Sequence, residues 1–388
     1  MPVQASFFEQ EVAWLGGRGV NNPRCGACGA KMVKNGKTKA GTQRWRCLSC
    51  GASGVRRIDS AAKALEAFLA WLLSKDAVAD LKTSRSTFWR RTAWAWRIWP
   101  IAPATGEVHD VAFLDGIWLR RDAVVLIAVA GGHVAAWHLA QTECAAAWAA
   151  LMMRMPAPAM LVSDGSPGLA RAASAVWPGT RVQRCTFHAA NQVRRCTTLR
   201  PRLEAGVELL GIANGLKGVR DAESAAAWLL GYNAWCVRWD GFLGEFTVKD
   251  GKKAWTHERL RKARRGLNRL AREGTLFTFV EMQEELGGRW PSTNNAVESV
   301  NARLRDMLRL HRGLPLMHRI KAIFWWCYMH TEDPLPAAEI IRVMPTDDDV
   351  DGLFAAASSG RRRDAGAPEE YGTGIVWSEF HMPTNYRR

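Results

Sequence analysis

Three acidic residues in separate segments carry the first chemical signal: Asp115 in Val-Ala-Phe-Leu-Asp-Gly, Asp164 in Met-Leu-Val-Ser-Asp-Gly and Glu298 in Ser-Thr-Asn-Asn-Ala-Val-Glu-Ser. The two aspartates close apolar, strand-like runs, where an unpaired carboxylate is costly unless it binds something. Glu298 belongs to a helical pattern. At about 100° per residue, Val297, Val300, Leu304, Met307 and Leu308 fall on a stripe that can pack. Asn294, Glu298, Asn301 and Arg305 fall on the neighbouring stripe. Taken singly, each acid has an ordinary alternative: an Asp that caps the next turn, or an exposed Glu beside an Arg. Together, three sets of hard carboxylate oxygens are what two Mg²⁺ or Mn²⁺ ions require for phosphoryl transfer.

Such a site needs a sheet to bring the acids together. Val111, Phe113 and Asp115 alternate in one strand, Arg120-Arg121-Asp122 suits a turn, and Ala123 to Val129 makes a second strand. Gly131-Gly132 turns into a third strand, His133 to Leu139. A helix from about Glu143 to Met153 follows, then a strand from Ala159 that ends in Asp164, a turn and helix opened by Gly165-Ser166-Pro167, and a strand from Arg181 to Cys185. The order β-β-β-α-β-α-β is that of an RNase H-like α/β fold, whose first and fourth strands are neighbours. Asp115 and Asp164 are then expected to meet.

Ahead of this core, Cys25/Cys28 and Cys47/Cys50 form two Cys-x-x-Cys pairs, separated by enough chain for a short β-hairpin. Gly26, Gly29 and Gly51 allow tight knuckle turns. Four thiolates around Zn²⁺ make a closed, structural site, so residues 1–58 read as a zinc ribbon. Residues 59–100 read as a helix-turn-helix. Leu65, Phe68, Leu69 and Leu72 make one buried stripe, a short helix fits Asp76 to Leu81, and Thr83-Ser84 caps a third helix that stops at Pro100. Arg85, Ser86, Arg90 and Arg91 near the start of that third helix are the candidate DNA contacts. Trp94, Trp96 and Trp99 read as core.

The formal net charge of +16 and a pI of about 9.8 favour a polyanionic partner, and double-stranded DNA is the expectation. No apolar run reaches the roughly 18 to 20 residues that cross a bilayer, so no membrane partner is expected. The Phe-Phe-Glu-Gln-Glu start lacks a charged region followed by an apolar stretch, and the expected location is the prokaryotic cytoplasm, associated with the nucleoid.

Phe-Leu-Asp115-Gly, Val-Ser-Asp164-Gly, Cys185-Thr-Phe-His188 and Asn294-Asn-Ala-Val-Glu298-Ser-Val-Asn-Ala-Arg303-Leu-Arg305 resemble the Mutator-like transposases of bacterial insertion sequences. The similarity spans roughly residues 110–328, within a catalytic domain at 107–332. The zinc ribbon and helix-turn-helix look like the front end of a subgroup of that family. The resemblance implies that Asp115, Asp164 and Glu298 are a catalytic DDE triad holding two Mg²⁺ (or Mn²⁺) ions. It also implies binding to terminal inverted repeats and target DNA, cleavage and strand transfer, a mostly helical insertion at about 197–290, and a homodimer or larger assembly on DNA. Cys185 and His188 match a family motif beside the active site. Two ligands are too few for a closed zinc site and no second pair lies nearby in sequence, so a structural or phosphate-contacting role is expected of them.

The stretch from Lys249 to Arg272 carries ten Lys or Arg residues, and Arg261, Lys262, Arg264 and Arg265 are candidate grips on DNA; a solvated helix face is the alternative. Trp290 either stacks on an unpaired base or anchors the Glu298 helix. Residues 333–388 read as a partly ordered appendage that packs on the core or on a partner. Two rival functions share these features: a non-catalytic zinc-ribbon and helix-turn-helix regulator, and a structure-specific nuclease on the same fold.

Overall fold

The computed structural model describes residues 22–361 apart from 26, 40, 56–59, 76, 77, 82 and 250. The chain divides into two compact units, residues 1–63 and 64–388.

In the first unit, β1 (Met32–Lys37), β2 (Gln43–Cys47) and β3 (Ser53–Val55) form an antiparallel sheet in that order. Gln43 ties the hairpin by donating from Nε2 to the Gly36 carbonyl at 2.8 Å. Gly26 lies outside the described residues. Gly29 and Gly51 take φ of 71° and 73°, which glycine adopts without the Cβ clash that other residues suffer.

The helix α1 (Ser60–Leu73) opens where the units divide and continues into the second. The expected second helix is, among the described residues, a single 3₁₀ turn at Val78–Asp80. The helix α2 (Arg85–Thr92) begins as expected, with the Ser84 hydroxyl accepting from the Thr87 N–H. After eight residues it tightens into a 3₁₀ segment, Ala93–Arg97, rather than running on to Pro100. Packing sets this: Trp96 is buried edge-on against Phe68 at 4.8 Å and stacks on His318 at 4.4 Å. Residues 64–100 fall in the same compact unit as the chain that follows them.

That unit is built on a mixed five-stranded sheet. Its strands are β4 (Val111–Leu119), β5 (Ala123–Ala130), β6 (His133–Ala140), β7 (Met160–Ser163) and β8 (Arg181–Arg184), in the order β6-β5-β4-β7-β8. The first three pair antiparallel, and β4–β7 and β7–β8 pair parallel. The helices α3 (Ala145–Met152) and α4 (Pro167–Val176) connect the later strands, and Trp148, Leu151, Leu169 and Trp177 pack with Ala112, Leu114, Val124 and Leu126 on one face.

Beyond β8 come α5 (Thr186–Thr197), α6 (Glu204–Gly215), α7 (Ala222–Arg238) and α8 (Asp240–Leu243). A β-hairpin of β9 (Phe246–Lys249) and β10 (Lys252–Trp255) precedes α9 (Glu258–Arg272) and α10 (Thr278–Leu286). The hairpin is a strand element within an otherwise helical stretch. Asp-Gly at 250–251 is a hairpin signal, Gly251 has φ of 71°, and Phe246 stacks on its register partner Trp255 at 4.1 Å. The helices α11 (Asn295–Leu310) and α12 (Leu316–Tyr328) pack back on β4, β5 and β6. Val297, Val300, Leu304, Met307 and Leu308 are buried, as their stripe requires.

The C-terminal segment supplies α13 (Ala337–Val343) and α14 (Asp347–Arg361), and residues 362–388 lie outside the described residues. This segment packs on the core. Lys321 of α12, 1 % exposed, donates to the Trp96 carbonyl and to Asp347, while Trp99 Nε1 donates to Asp347 at 2.7 Å. Among the described residues no helix is long and apolar enough to cross a membrane.

Candidate active site and metal centres

In the first unit the four sulfurs of Cys25, Cys28, Cys47 and Cys50 lie within 4.8 Å of one another, with Cys25 and Cys50 at 3.5 Å and Cys28 and Cys47 at 3.4 Å. Zinc at about 2.3 Å from each sulfur of a tetrahedron sets sulfurs roughly 3.8 Å apart, so the cluster could bind zinc. The backbone prepares the thiolates: the N–H of Cys50 brings the Cys47 thiol down to about 7. Although the Ala52 N–H favours its thiolate, the other three sulfurs push Cys50 up to about 12. Without a cation the neighbouring sulfurs oppose the ionisation of Cys50.

In the second unit, Asp115 does not close its strand. β4 runs on to Leu119, with Asp115 opposite Ile127 of β5. What ends here is the pairing with β7, whose last register pair is Phe113 with Val162. The reason is length: Ile117 and Leu119 still bury themselves beside β5, whereas the β7 chain turns away at Asp164. The two aspartates therefore sit where the β4–β7 ladder opens. Asp115 Oδ1 accepts from the Gly116 N–H and Oδ2 from the Asn301 amide, each at 2.8 Å, and Asp164 Oδ1 accepts from the Ser166 N–H at 2.8 Å. Burial pushes the Asp115 carboxyl up; those two donors pull it down, Asp164 adds repulsion and Arg305 attraction.

Glu298 lies one helical turn before Asn301 on α11, half-buried, with Oε1 at 3.6 Å from Nδ1 of His188. The charges of Glu298 and Asp164 both reach the His188 ring, whose pKa is raised first by the Cys185 thiol and then, against burial, by these neighbours. Asp115, Asp164, Glu298, His188, Cys185, Asn301 and Arg305 thus share one neighbourhood. Asn294 is fully buried beside it: its N–H donates to Cys185 Sγ at 3.3 Å, and both atoms of its side-chain amide lack a hydrogen-bond partner. Arg305 is exposed.

Two further residues belong here. Glu143, just ahead of α3, accepts from Trp118 Nε1 at 2.6 Å; burial pushes its carboxyl up, Trp118 pulls it down, and Asp115 and Asp164 raise it further. A Cβ on Gly116 would lie 2.4 Å from Glu143 Oε1, so glycine is what lets this carboxylate approach the strand. Arg184, 4 % exposed at the end of β8, bonds the Ser163 carbonyl at 3.2 Å and feels the charge of Asp164. Gly165 has φ of 89°, and a Cβ there would meet Arg184 Cζ at 2.4 Å. The Asp-Gly pairs at 115–116 and 164–165 were the available signal, because glycine in a strand pattern marks a close approach.

No protein-family model matches the chain, and no curated protein does.

Of the expected DNA contacts, Arg85, Ser86, Arg90 and Arg91 are exposed on α2. Those of α9 divide. Lys262 is exposed, but Arg261 lies over the Trp255 ring at 3.5 Å and bonds the Leu243 carbonyl, Arg264 pairs with Asp240 at 2.8 Å, and Arg265 pairs with Glu258. Three of these four cations are occupied in holding the insertion together. Between α5 and α9 a cleft of about 470 Å³ is lined by Arg195, Lys262, Arg265 and Arg269. Trp290 anchors: its Nε1 donates to the Gly287 carbonyl at 3.0 Å and its ring packs on the insertion core.

Proposed function

We propose that this chain is a DNA transposase of a bacterial insertion sequence, of the Mutator-like DDE kind, with an RNase H-like core and a zinc ribbon. It would act in the prokaryotic cytoplasm, beside the nucleoid. The observation that carries the reading is the opening of the β4–β7 ladder at Asp115 and Asp164, with the Glu298 helix tied to Asp115 through Asn301.

The acidic pocket fits divalent ions of the Mg²⁺ class. Its donors are hard oxygens, and the buried Oε1 of Glu298 and Oδ1 of Asn301 have no hydrogen-bond partner. Asp115, Asp164 and Glu298 would hold the ions. Bound there, two such ions would activate an attacking water or 3′-hydroxyl and stabilise the leaving oxygen of a phosphodiester. The chain's own residues do the rest. Asn301 orients Asp115, and the Ser166 N–H orients Asp164. Exposed Arg305 would offer positive charge to an entering phosphate, while buried Arg184 supports the Ser163–Asp164 turn from beneath. Exposed Arg85, Ser86, Arg90 and Arg91 supply contacts to terminal inverted repeats, and two element ends would be held by at least two copies of the chain.

The test incubates the full chain with candidate terminal-repeat DNA, with and without Mg²⁺, and scores nicking and strand transfer separately. Asp115→Asn and Glu298→Gln should each reduce both by about 1,000-fold, the loss expected when several kcal/mol of charge stabilisation disappear, while binding to the repeat persists. Cleavage without joining would identify a nuclease, and binding without Mg²⁺-dependent scission a regulator. Normal cleavage by either variant would remove the site assignment.

A further inference from the structure

Cys185, His188 and Glu298 place a sulfur, an imidazole nitrogen and a carboxylate oxygen within 4.8 Å of one another. Two of the three atoms are orphans: Nδ1 of His188 and Oε1 of Glu298 are buried, lie 3.6 Å apart, and make no hydrogen bond of ordinary geometry. At that distance the two form a long ion pair when His188 is protonated, without a hydrogen bond to offset their burial, and a bound cation would give both atoms a direct bond instead. Besides its contact with His188, the sulfur accepts from outside the trio, from the Asn294 N–H at 3.3 Å.

The framework is prepared for such an ion. Cys185 ends the β8 connection and His188 lies three residues later in the first turn of α5, so both face the same side. Glu298 comes from the first turn of α11, and the two segments are joined by the Thr186 N–H donating to the Ser292 carbonyl at 3.0 Å. In a tetrahedral zinc site with bonds of about 2.0 to 2.3 Å, ligand atoms stand roughly 3.3 to 3.8 Å apart. Side-chain adjustments of about 1 Å bring the present atoms to that spacing. Sulfur, nitrogen and oxygen together select a borderline ion such as Zn²⁺ or Co²⁺ over Mg²⁺, which prefers oxygen and gives up water reluctantly.

We propose that Cys185, His188 and Glu298 form a second binding site for a zinc-class divalent ion, with an open fourth position, that borrows Glu298 from the acidic pocket. Sequence alone offered only the Cys185–His188 pair; the fold supplies the third ligand. One consequence rests on the transposase reading: zinc in this site withdraws Glu298 from the Mg²⁺ ions, so Zn²⁺ antagonises Mg²⁺-dependent strand cleavage.

The experiment starts from full-length protein whose ribbon is saturated with Zn²⁺, and titrates Co²⁺ while recording absorbance and bound metal. The expected result is a sulfur-to-cobalt charge-transfer band that saturates at one equivalent per chain, whatever further cobalt the oxygen donors of the acidic pocket take up. Cys185→Ser should abolish the band, and Cys185→Ser and His188→Gln should each weaken binding about 100-fold or more, since losing a ligand exceeds the 10- to 100-fold cost of losing a ligand's supporting partner. Circular dichroism verifies that each variant is folded, and the two variants test the site independently. Glu107, His109 and His133 form a rival grouping, but it holds no sulfur and cannot give the band. A second ion without that band, no second ion, or unchanged affinity in folded Cys185→Ser overturns the proposal. A second ion that binds with the band but leaves Mg²⁺-dependent cleavage unaffected overturns the sharing of Glu298. Absence of any cleavage counts against the transposase reading alone, because the metal titration does not depend on it.

Discussion

At the scale of single residues, the acidic pocket is held in a state that favours a cation. Burial raises the Asp115 carboxyl above its value in an unfolded chain, so the folded form holds its proton more tightly. The stabilising contribution is complete below the unfolded value and is lost as pH rises through the folded one. Without added divalent ion, Asp115→Asn should therefore melt above the parent, with a gap that widens as pH rises above the unfolded carboxylate value. A gap independent of pH would mean that the charge at this position is not the cause. Gly116 is the second case, because alanine there would drive its Cβ into Glu143 Oε1 and to 3.0 Å from Val124 Cγ2. Gly116→Ala should cost about 1 to 3 kcal/mol, the usual range for overpacking. Adding Glu143→Ala should recover part of it, and a double-mutant cycle in denaturant reads the coupling; strict additivity would contradict the close approach.

At the scale of elements, the acidic run at the start of α14 is a clamp. Asp347 accepts from Trp99 and from buried Lys321, and Arg97 pairs with Asp348. Asp347→Ala leaves the Lys321 charge without its carboxylate and should cost about 3 kcal/mol, measured by equilibrium unfolding. A loss below about 0.5 kcal/mol, within the range of an exposed pair, would mean that the clamp is not formed. The helix α9 makes a different prediction. Lys262 is exposed, whereas Arg265 is held by Glu258. Lys262→Ala should lower the slope of log affinity against log salt for DNA by about one, and Arg265→Ala should leave that slope in place. Equal effects of the two variants would show that the Glu258 pair gives way to DNA.

For the whole molecule, the two compact units should respond differently to a metal chelator. Among the described residues, the buried cluster around the cysteines is Cys25, Met32 and Cys47 with Ala30, Trp45 and Ala52 against them, a small apolar core for three short strands. Metal binding would supply its folding free energy, on the order of 10 kcal/mol for such sites. Chelation followed by limited proteolysis should open residues 22–55 while residues 83–249 stay protected. Continued protection of the cysteine hairpin in metal-free protein would show that some other interaction holds it.

Much of this is legible in the amino-acid sequence. Local pattern was enough wherever a side chain's role depends on its near neighbours: the paired Cys-x-x-Cys knuckles, the alternation into Asp115, the Pro167 helix start and the buried stripe from Val297 to Leu308. Pattern reading failed where the partner is distant in the chain. Glu143 looks like any helix-start glutamate until Gly116 makes room for it, and Cys185 and His188 lack a third ligand until α11 delivers Glu298. The cations of α9 read as DNA contacts until Trp255, Asp240 and Glu258 are seen to occupy three of them. Residue type and spacing determine which chemistry is on offer, because hydrogen bonding and hydrophobic periodicity act over a few residues. Which donors converge, which charges are already satisfied and which carboxylates share an ion are decided by through-space distance, and only the packed sheet and its helices set that.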